Sequence, residues 1–502
     1  MGERVFRLYD TKSKQVKSLT TREPGHLRFY TCGPTVYSTA HIGNFRSFLT
    51  ADLIVRTAKA LGWKVTWVSN ITDVGHLTQD DVADGGGEDK MERALKSKEG
   101  QGFHNVWELA EFYTDIFLRD WKTLNLLEPD VRPKATQHVR EQILAVEDLI
   151  KSGHAYETPT GIYFSVESFP TYGALSGNTQ EELMEAVRDV VLDDNKRQQA
   201  DFAVWKKDDK HLMQWFSPYG WGFPGWHIEC SVMARQYLGD TLDLHSGGED
   251  NIFPHHECEI AQSESLTGKP FCGHWVHTRF LMIEGQKMAK SAGNFYTAPM
   301  LVEKGIHPLA IRLALISAAF TKQLNVTNQS LLDANGNVER LQRAKTAAEE
   351  GIASNRPGGD GLAALLPDLY EQALDAMCED LNTSVAVAKA LEGAKEILRE
   401  GELSAASGAT AKQFLDQINS LLGIVASEYA DDDAAACAAK PSGVDEARIE
   451  SLIAERAAAK KARDFALADS IRGQIEEMGV ELRDSPTGTT WHPKAKLDLP
   501  VA

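Results

Sequence analysis

The feature that most constrains the fold is a strand, a turn and a helix that follow one another near the start of the chain. Residues 27–32 (LRFYTC) read as a short buried strand, and apolar residues recur at helical spacing between 45 and 60. Gly62 ends this helix, and residues 65–68 (VTWV) read as a second strand. Such a β–turn–α–β unit predicts a Rossmann-like α/β domain, a doubly wound parallel sheet that binds ligands at the carboxyl ends of its strands.

The turn after the first strand has the features of a phosphate-binding site. It begins at Cys32 and ends in the segment His41-Ile42-Gly43-Asn44, where the helix starts. A helix N-terminus presents unpaired backbone N–H groups and a positive dipole end, and both favour a phosphate. The glycine fingerprint of dinucleotide sites is absent from the sequence, so a mononucleotide is the expected ligand.

Length and composition indicate a multidomain protein without a membrane segment. A chain of 502 residues exceeds one ordinary core, and about two to four domains are expected. The net charge of −19 argues against coating nucleic acid by bulk charge, although it leaves room for a local basic face. Six scattered cysteines and an N-terminus without an apolar signal core favour the cytoplasm. The most apolar run, residues 309–320, carries Arg312 and predicts a core helix.

Changes of pattern along the chain divide it into four parts. Residues 1–307 form the predicted α/β domain, with an insertion at about 131–213 that mixes helical and hairpin-like segments. Within that domain we expect a strand at 241–245, a helix at 254–266 and a last strand at 280–283. Residues 308–425 are rich in Ala and Leu with helical periodicity, which predicts a helical bundle. A small polar linker (426–443) then leads to a compact unit of two helices and a Gly/Thr/Pro-rich end (444–502).

A pair of lysines follows the predicted last strand. Lys287 and Lys290 lie three residues apart in the segment Lys-Met-Ala-Lys-Ser (287–291), on a loop of small residues. Two ammonium groups so placed can approach one polyphosphate. Lysine pairs are more often solvated surface groups, and the residues alone leave that alternative open.

Four further side chains have the chemistry of metal ligands. His255 and Glu259 lie four residues apart on a predicted helix and therefore share one face. Cys230 lies in the segment 225–230 (GWHIEC), and Cys32 ends the first strand. Zinc accepts thiolate, imidazole and carboxylate ligands in one tetrahedral set. Buried cysteines that act as small hydrophobic residues remain an alternative at this point.

These motifs together resemble those of a known family. The segment from Cys32 to Asn44 resembles the first signature of class I aminoacyl-tRNA synthetases, and residues 287–291 resemble the second, the KMSKS loop. The companion segments are similar to those of cysteinyl-tRNA synthetases: 225–231 (GWHIECS), 253–263 (FPHHECEIAQS), 70–74 (NITDV), 133–136 (PKAT), 380–383 (DLNT) and 464–491. The resemblance covers nearly the whole chain.

The resemblance implies a ligand set and a reaction. It implies one zinc ion held by Cys32, Cys230, His255 and Glu259, which receives the sulfur of the substrate cysteine and so excludes serine. Thr72 and Trp226 would line the amino-acid pocket. ATP, arriving with Mg²⁺, would activate cysteine as an adenylate before transfer to the 3′ end of cysteine tRNA. The protein is expected to be a monomer.

The same resemblance assigns roles to the two signatures. His41, Gly43 and Asn44 would steady the phosphates of ATP at the helix N-terminus. Lys290, helped by Lys287, would neutralise the leaving pyrophosphate. The helical bundle and the C-terminal unit would contact the stem and anticodon of the tRNA.

Three positions depart from the pattern of the family. Asn44 stands where the first signature usually ends in His, and Ala289 replaces the Ser of the KMSKS loop. Cys258 stands where the family often has Asn, and a helix would turn it away from the face of His255 and Glu259. We expect these changes to preserve activity, with an altered affinity for ATP.

Two other functions are compatible with parts of this pattern. One is the cysteine-activating ligase of the mycothiol pathway, which resembles the same core but lacks the full C-terminal anticodon-recognition region. The other is a non-catalytic paralogue that binds tRNA or nucleotide, for which Asn44 and Ala289 are the best support. The retained ligands and lysines argue against the second.

Overall fold

The computed structural model describes residues 4–74, 89–97, 100–178, 195–288, 294–427, 446–462, 464–478, 480–485 and 488–493. The strands are β1 (Arg7–Asp10), β2 (Gln15–Ser18), β3 (His26–Thr31), β4 (Lys64–Ser69), β5 (Ala155–Glu157), β6 (Gly161–Phe164), β7 (Phe202–Lys207), β8 (Trp215–Ser217), β9 (Gly220–Pro224), β10 (Leu244–Gly248), β11 (Trp275–Thr278), β12 (Leu281–Ile283), β13 (Gln286–Lys287), β14 (Leu324–Val326), β15 (Val480–Ser485) and β16 (Gly488–Pro493). The helices are α1 (Ile42–Ala60), α2 (Lys90–Lys96), α3 (Val106–Thr123), α4 (Val139–Lys151), α5 (Trp226–Leu238), α6 (Glu257–Thr267), α7 (Ala298–Glu303), α8 (Pro308–Leu315), α9 (Asn328–Ala353), α10 (Leu365–Cys378), α11 (Thr383–Glu400), α12 (Ala405–Leu422), α13 (Glu446–Lys461) and α14 (Phe465–Glu477).

A parallel sheet of four strands, in the order β11–β10–β3–β4, forms the centre of the α/β domain. The predicted β–turn–α–β unit is confirmed as β3, α1 and β4. Gly62 follows α1 with a φ of 79°, a left-handed conformation that glycine adopts without strain. Parallel strands buried on both faces need covering helices, and here α1 packs against all four strands while α5 packs against β3 and β4.

Two strand predictions need correction. The predicted last strand forms as β12, but it pairs with β13 and β14 in a separate sheet, and the edge strand of the central sheet is β11 instead. The segment of β11 (WVHT) ends in polar residues that the tertiary structure buries, so its sequence lacks the apolar signal of a core strand. The strand predicted at 241–245 begins at Leu244 and continues to Gly248, because pairing with β3 and β11 offsets the weak strand preference of its glycines.

The segment inserted between β4 and α5 builds its own antiparallel sheet, in the order β5–β6–β7–β9–β8. This sheet spans residues 155–224, so that its last two strands follow residue 213. One face packs with α4 on a separate apolar cluster, which includes Phe164 and Phe202.

The helical bundle predicted at 308–425 is confirmed as α8 to α12, with the short strand β14 between α8 and α9. A buried ion cluster ties it to the α/β domain. Arg312 of α8 and Arg56 of α1 both bind the carboxylate of Asp52, and Arg312 Nε donates to the carbonyl of Leu422 at the end of α12. Arg56 also donates to the carbonyls of residues 419 and 420. The end of α12 is thereby held against the middle of α1.

The C-terminal unit contains the two predicted helices, α13 and α14. Its Gly/Thr/Pro-rich end forms the hairpin β15–β16, which covers an apolar cluster together with the helices. The predicted linker lies almost wholly outside the described residues. Among the described helices, none is long and apolar enough to cross a membrane.

Candidate metal centre and nucleotide site

The four predicted metal ligands converge at the carboxyl edge of the central sheet. Cys32 follows β3, and Cys230 is the fifth residue of α5. His255 lies in a π-helical turn that leads into α6, and Glu259 lies in the first turn of that helix. All four side chains are buried, and their ligand atoms lie within 4.8 Å of one another.

The distances within this cluster fit a tetrahedral zinc ion. The sulfurs of Cys32 and Cys230 lie 4.0 Å apart, close to the separation of about 3.8 Å that two thiolates adopt on one tetrahedral zinc. His255 Nε2 lies 3.0 Å from Glu259 Oε1, and Cys32 Sγ lies 3.6 Å from the same oxygen. The donor set, with its soft and borderline ligands, matches the chemistry of a zinc site.

The electrostatics of the cluster also favour a cation. The hydrogen bond from the Cys32 thiol lowers the pKa of Cys230 to about 6, while burial and the Cys230 thiolate raise the pKa of Cys32 well above its usual value. Burial opposes ionisation of Glu259, but its electrostatic interactions and hydrogen bonds with His245 and His255 outweigh burial and hold its pKa at about 2. Burial alone would lower the pKa of His255, but Glu259 and Cys230 raise it to about 10. The protonated imidazole of His255 therefore offsets the negative charge of Glu259 and Cys230.

Four further histidines border the cluster, and the sequence did not predict them as site residues. His245 Nε2 contacts Glu259 Oε2 at 3.0 Å, and His256 Nε2 lies 3.2 Å from Cys32 Sγ. His256 Nδ1 in turn contacts His277 Nε2 at 2.7 Å, and His227 contacts His255. The signal in the sequence was weak, because three of these residues lie on separate strands or turns. Such outer contacts fix the orientation of ligand side chains.

These histidines create a second possible ligand set. Cys32 and Glu259 can combine with His245 and His256 as well as with Cys230 and His255. The first set uses two thiols at a separation suited to one zinc, whereas the second set contains only one thiol. The geometry therefore favours the set with Cys230.

The first signature forms the N-terminus of α1. His41 is the N-cap residue, and its Nδ1 accepts a hydrogen bond from the backbone N–H of Asn44. Asn44 Oδ1 accepts one in return from the backbone N–H of His41, which completes a reciprocal capping box. A Cβ atom on Gly43 would lie 2.9 Å from His41 Nδ1, so this position needs glycine.

Residues that flank the second signature lie against the first. The ring of Phe295 packs edge-on against His41 at 5.2 Å, and the carbonyl of Tyr296 accepts a hydrogen bond from the N–H of Ile42. Lys287 is exposed on β13, and its carbonyl is bound by the side chain of Asn294. Lys290 and Ala289 lie outside the described residues. The described residues on either side of the lysine segment, Lys287 and residues 294–296, are therefore linked to the turn before α1.

The two predicted pocket residues border the metal cluster. The Trp226 ring lies over that of His255, with 4.5 Å between their centroids. Thr72 is buried, and its hydroxyl accepts a hydrogen bond from Asn70, whose Oδ1 faces Cys230 Sγ at 3.8 Å. Its backbone pairs with residues 34 and 36 of the turn after β3. The cluster of candidate ligands and the turn before α1 are therefore connected through residues 70 and 72.

Cys258 lies apart from this site, as its helical position predicted. Its sulfur contacts the hydroxyl of Tyr172 at 3.3 Å within the core of the inserted segment. Burial and the Cys258 thiol raise the pKa of Tyr172 well above its usual value. Cys258 belongs to neither possible ligand set.

Comparisons with known proteins agree with this arrangement. Residues 18–336 match the family model described as the class I (C) tRNA synthetase catalytic domain. A cysteine–tRNA ligase of Salinibacter ruber is 50% identical over 517 aligned positions, which cover 99% of this chain and 100% of the relative. Another, from Solibacter usitatus, is 41% identical over 497 positions, which cover 98% and 100%. In fold, the chain resembles the Mycobacterium tuberculosis methionyl-tRNA synthetase bound to methionyl-adenylate, with a TM-score of 0.56 at 14% identity and coverage of 81% and 93%.

The parallel sheet and the capped turn at its edge are those of a class I tRNA synthetase. Together with near-complete coverage of the relatives, they establish that the chain belongs to the cysteinyl-tRNA synthetase family.

Proposed function

We propose that this protein is an ATP-dependent cysteine–tRNA ligase. The observation that carries the proposal is the convergence of Cys32, Cys230, His255 and Glu259 beside the capped N-terminus of α1. A sulfur-selective cluster next to a phosphate-binding turn suits an enzyme that joins cysteine to a nucleotide. Relatives at 50% and 41% identity over their full length are cysteine–tRNA ligases.

The same four residues are the proposed ligands of one zinc ion per chain. When bound, this ion would ligate the substrate's sulfur as a thiolate, a bond that the hydroxyl of serine cannot match at neutral pH. The chain's own side chains complete the pocket: Trp226 lies over His255 and closes one side, and Thr72 forms part of the opposite wall.

In the proposed first step, an oxygen of the cysteine carboxylate attacks the α-phosphorus of ATP. The bond from this phosphorus to the bridging oxygen breaks, and pyrophosphate leaves. The N-terminus of α1, with His41, Gly43 and Asn44, holds the phosphates, while Lys287 and Lys290 neutralise the charge on the departing pyrophosphate. Mg²⁺ accompanies ATP as part of the substrate.

In the second step, a hydroxyl of the terminal ribose of cysteine tRNA attacks the carbonyl carbon of the adenylate, and AMP leaves. We assign contacts with the stem and anticodon of the tRNA to the helical bundle (308–425) and to the C-terminal unit (444–502). The catalytic part comprises residues 1–307. We further propose that the protein acts in the cytoplasm as a monomer.

Cysteine-dependent exchange of pyrophosphate into ATP, followed by charging of cysteine tRNA, tests this function. Both reactions are expected with cysteine, and neither with serine. Exchange without charging would instead indicate the cysteine ligase of the mycothiol pathway. Absence of both, with tRNA still bound, would indicate a non-catalytic paralogue.

A further inference from the structure

A buried carboxyl group next to the metal cluster lacks hydrogen-bond partners. Glu229 lies in the first turn of α5, one residue before Cys230, and its side chain is 0% exposed. Neither of its two carboxyl oxygens forms a hydrogen bond of normal geometry with any residue that the structure describes. An unpartnered buried carboxyl is costly, and such a group in a folded protein calls for a specific reason.

The surroundings of Glu229 place it on the wall of the amino-acid pocket. The Thr72 side chain lies against its carboxyl group, and Thr72 is tied through Asn70 to the sulfur of Cys230. Trp226, three residues earlier in the same helical turn, lies over His255. Glu229 is therefore enclosed by residues that border the metal cluster.

The neighbouring carboxylate of Asp73, unlike that of Glu229, has hydrogen-bond donors of normal geometry. Asp73 follows Thr72 directly, and its oxygens accept hydrogen bonds from the backbone N–H and the hydroxyl of Thr136, at 2.9 and 2.6 Å. Among the described residues, the fold thus supplies donors of normal geometry to Asp73 and none of normal geometry to Glu229. We infer that the donor for Glu229 arrives with the substrate.

We propose that Glu229, together with the Thr72 hydroxyl, binds the ammonium group of the substrate amino acid. This proposal rests on the proposed function. An ammonium group has three donors and no acceptor, which complements two unpartnered carboxyl oxygens. In cysteine the nitrogen lies only three bonds from the sulfur, and Glu229 is adjacent to the ligand residue Cys230. A substrate whose sulfur is held by the cluster therefore brings its nitrogen to this wall. Glu229 is, in this role, a determinant of specificity for α-amino thiols.

Two small thiols, one with only the ammonium group of cysteine and one with only its carboxylate, test this assignment. Cysteamine has the ammonium group without the carboxylate, and 3-mercaptopropionate has the carboxylate without the ammonium group. Their affinities are measured by calorimetry on the zinc-loaded protein, for the wild type and for Glu229→Gln. The variant is expected to bind cysteamine at least about tenfold more weakly, since it loses a charge-assisted hydrogen bond, and 3-mercaptopropionate within about twofold of the wild type.

The matched control is Asp73→Asn, which removes a nearby carboxylate that already has partners. It is expected to leave the ratio of the two affinities unchanged. Glu229→Asp retains the acid and is measured in parallel, so that poor folding of the Gln variant does not end the test. Glu229→Asp is expected to weaken the binding of cysteamine but not that of 3-mercaptopropionate, by a smaller factor than Glu229→Gln does.

An equal loss for both thiols, a loss of zinc from the variants, or no loss at all would each overturn the assignment. A change of the same ratio in Asp73→Asn would do so as well, because it would indicate a diffuse charge effect. A wild-type protein that binds cysteamine through Glu229 yet shows no cysteine-dependent pyrophosphate exchange would refute the proposed function alone.

Discussion

His41 and Asn44 cap each other across the first turn of α1, through hydrogen bonds of 3.2 Å to His41 Nδ1 and 3.0 Å to Asn44 Oδ1. From the sequence, Asn44 was a departure from the usual His of the first signature. The structure assigns its amide oxygen to the helix cap. The residue therefore shapes the turn that is proposed to receive the phosphates of ATP.

Asn44→Ala should lower the free energy of unfolding by about 1 kcal/mol, because the backbone N–H of His41 loses its acceptor, Asn44 Oδ1. Urea denaturation measures this change. Asn44→Asp keeps an oxygen acceptor and should be nearly as stable as the wild type, but its negative charge should raise the KM for ATP. Wild-type stability of Asn44→Ala would refute the role of the cap.

Loss of one thiol from the cluster should abolish metal binding. Cys230→Ser is expected to be purified with less than a tenth of the zinc of the wild type, since a neutral hydroxyl is a poor zinc ligand. Elemental analysis measures the ratio of zinc to protein. Cys258→Ser is the control, because this equally buried thiol contacts Tyr172 and should leave zinc unchanged. Full zinc content in Cys230→Ser would exclude the proposed ligand set.

The buried ion cluster that joins α1 to the helical bundle should be essential for stability. Asp52→Asn leaves Arg56 and Arg312 without their carboxylate, and we expect a loss of about 3–5 kcal/mol in urea denaturation. Asp416→Asn, which breaks the exposed pair with Lys412, should leave stability nearly unchanged, because solvent screens such a pair. Equal effects of the two substitutions would contradict the distinction between buried and exposed pairs.

The contact between His211 and Asp89 should make stability depend on pH. The two side chains are buried and 3.3 Å apart; although burial disfavours the charged imidazole, Asp89 raises the pKa of His211 above its usual value. A raised pKa in the folded state means that the ion pair stabilises the protein fully below the ordinary value of about 6.5 and loses this contribution as the pH rises through the folded value.

Thermal or urea unfolding of His211→Gln and the wild type at pH 6 and pH 8.5 tests this sign. The difference between the two proteins should be larger at pH 6. Asp89→Asn should lose the same pH dependence while it keeps the cap of α2, in which Asp89 Oδ1 accepts the N–H of Glu92. A larger difference at pH 8.5 would show that His211 acts as a neutral residue.

The sequence was most informative where a pattern among neighbouring residues determines the local structure. Strand β3, helix α1 and its end at Gly62 follow from apolar periodicity and a glycine with positive φ, and they formed as predicted. The helical spacing of His255 and Glu259 put them on one face. Strand β11 was missed, since its burial depends on neighbours distant in sequence.

The chain by itself therefore determined the class of the sheet, the helical bundle and the identity of the four candidate ligands, because these depend on periodicity and residue chemistry. Only the tertiary structure decided that Cys32 and Cys230 lie 4.0 Å apart and that His245 and His256 border the same cluster. It also decided that the Glu229 carboxyl is buried without a hydrogen bond of normal geometry to the residues described. The reason is physical: distances and desolvation arise from elements that meet across the sheet, and no local pattern encodes which elements those are.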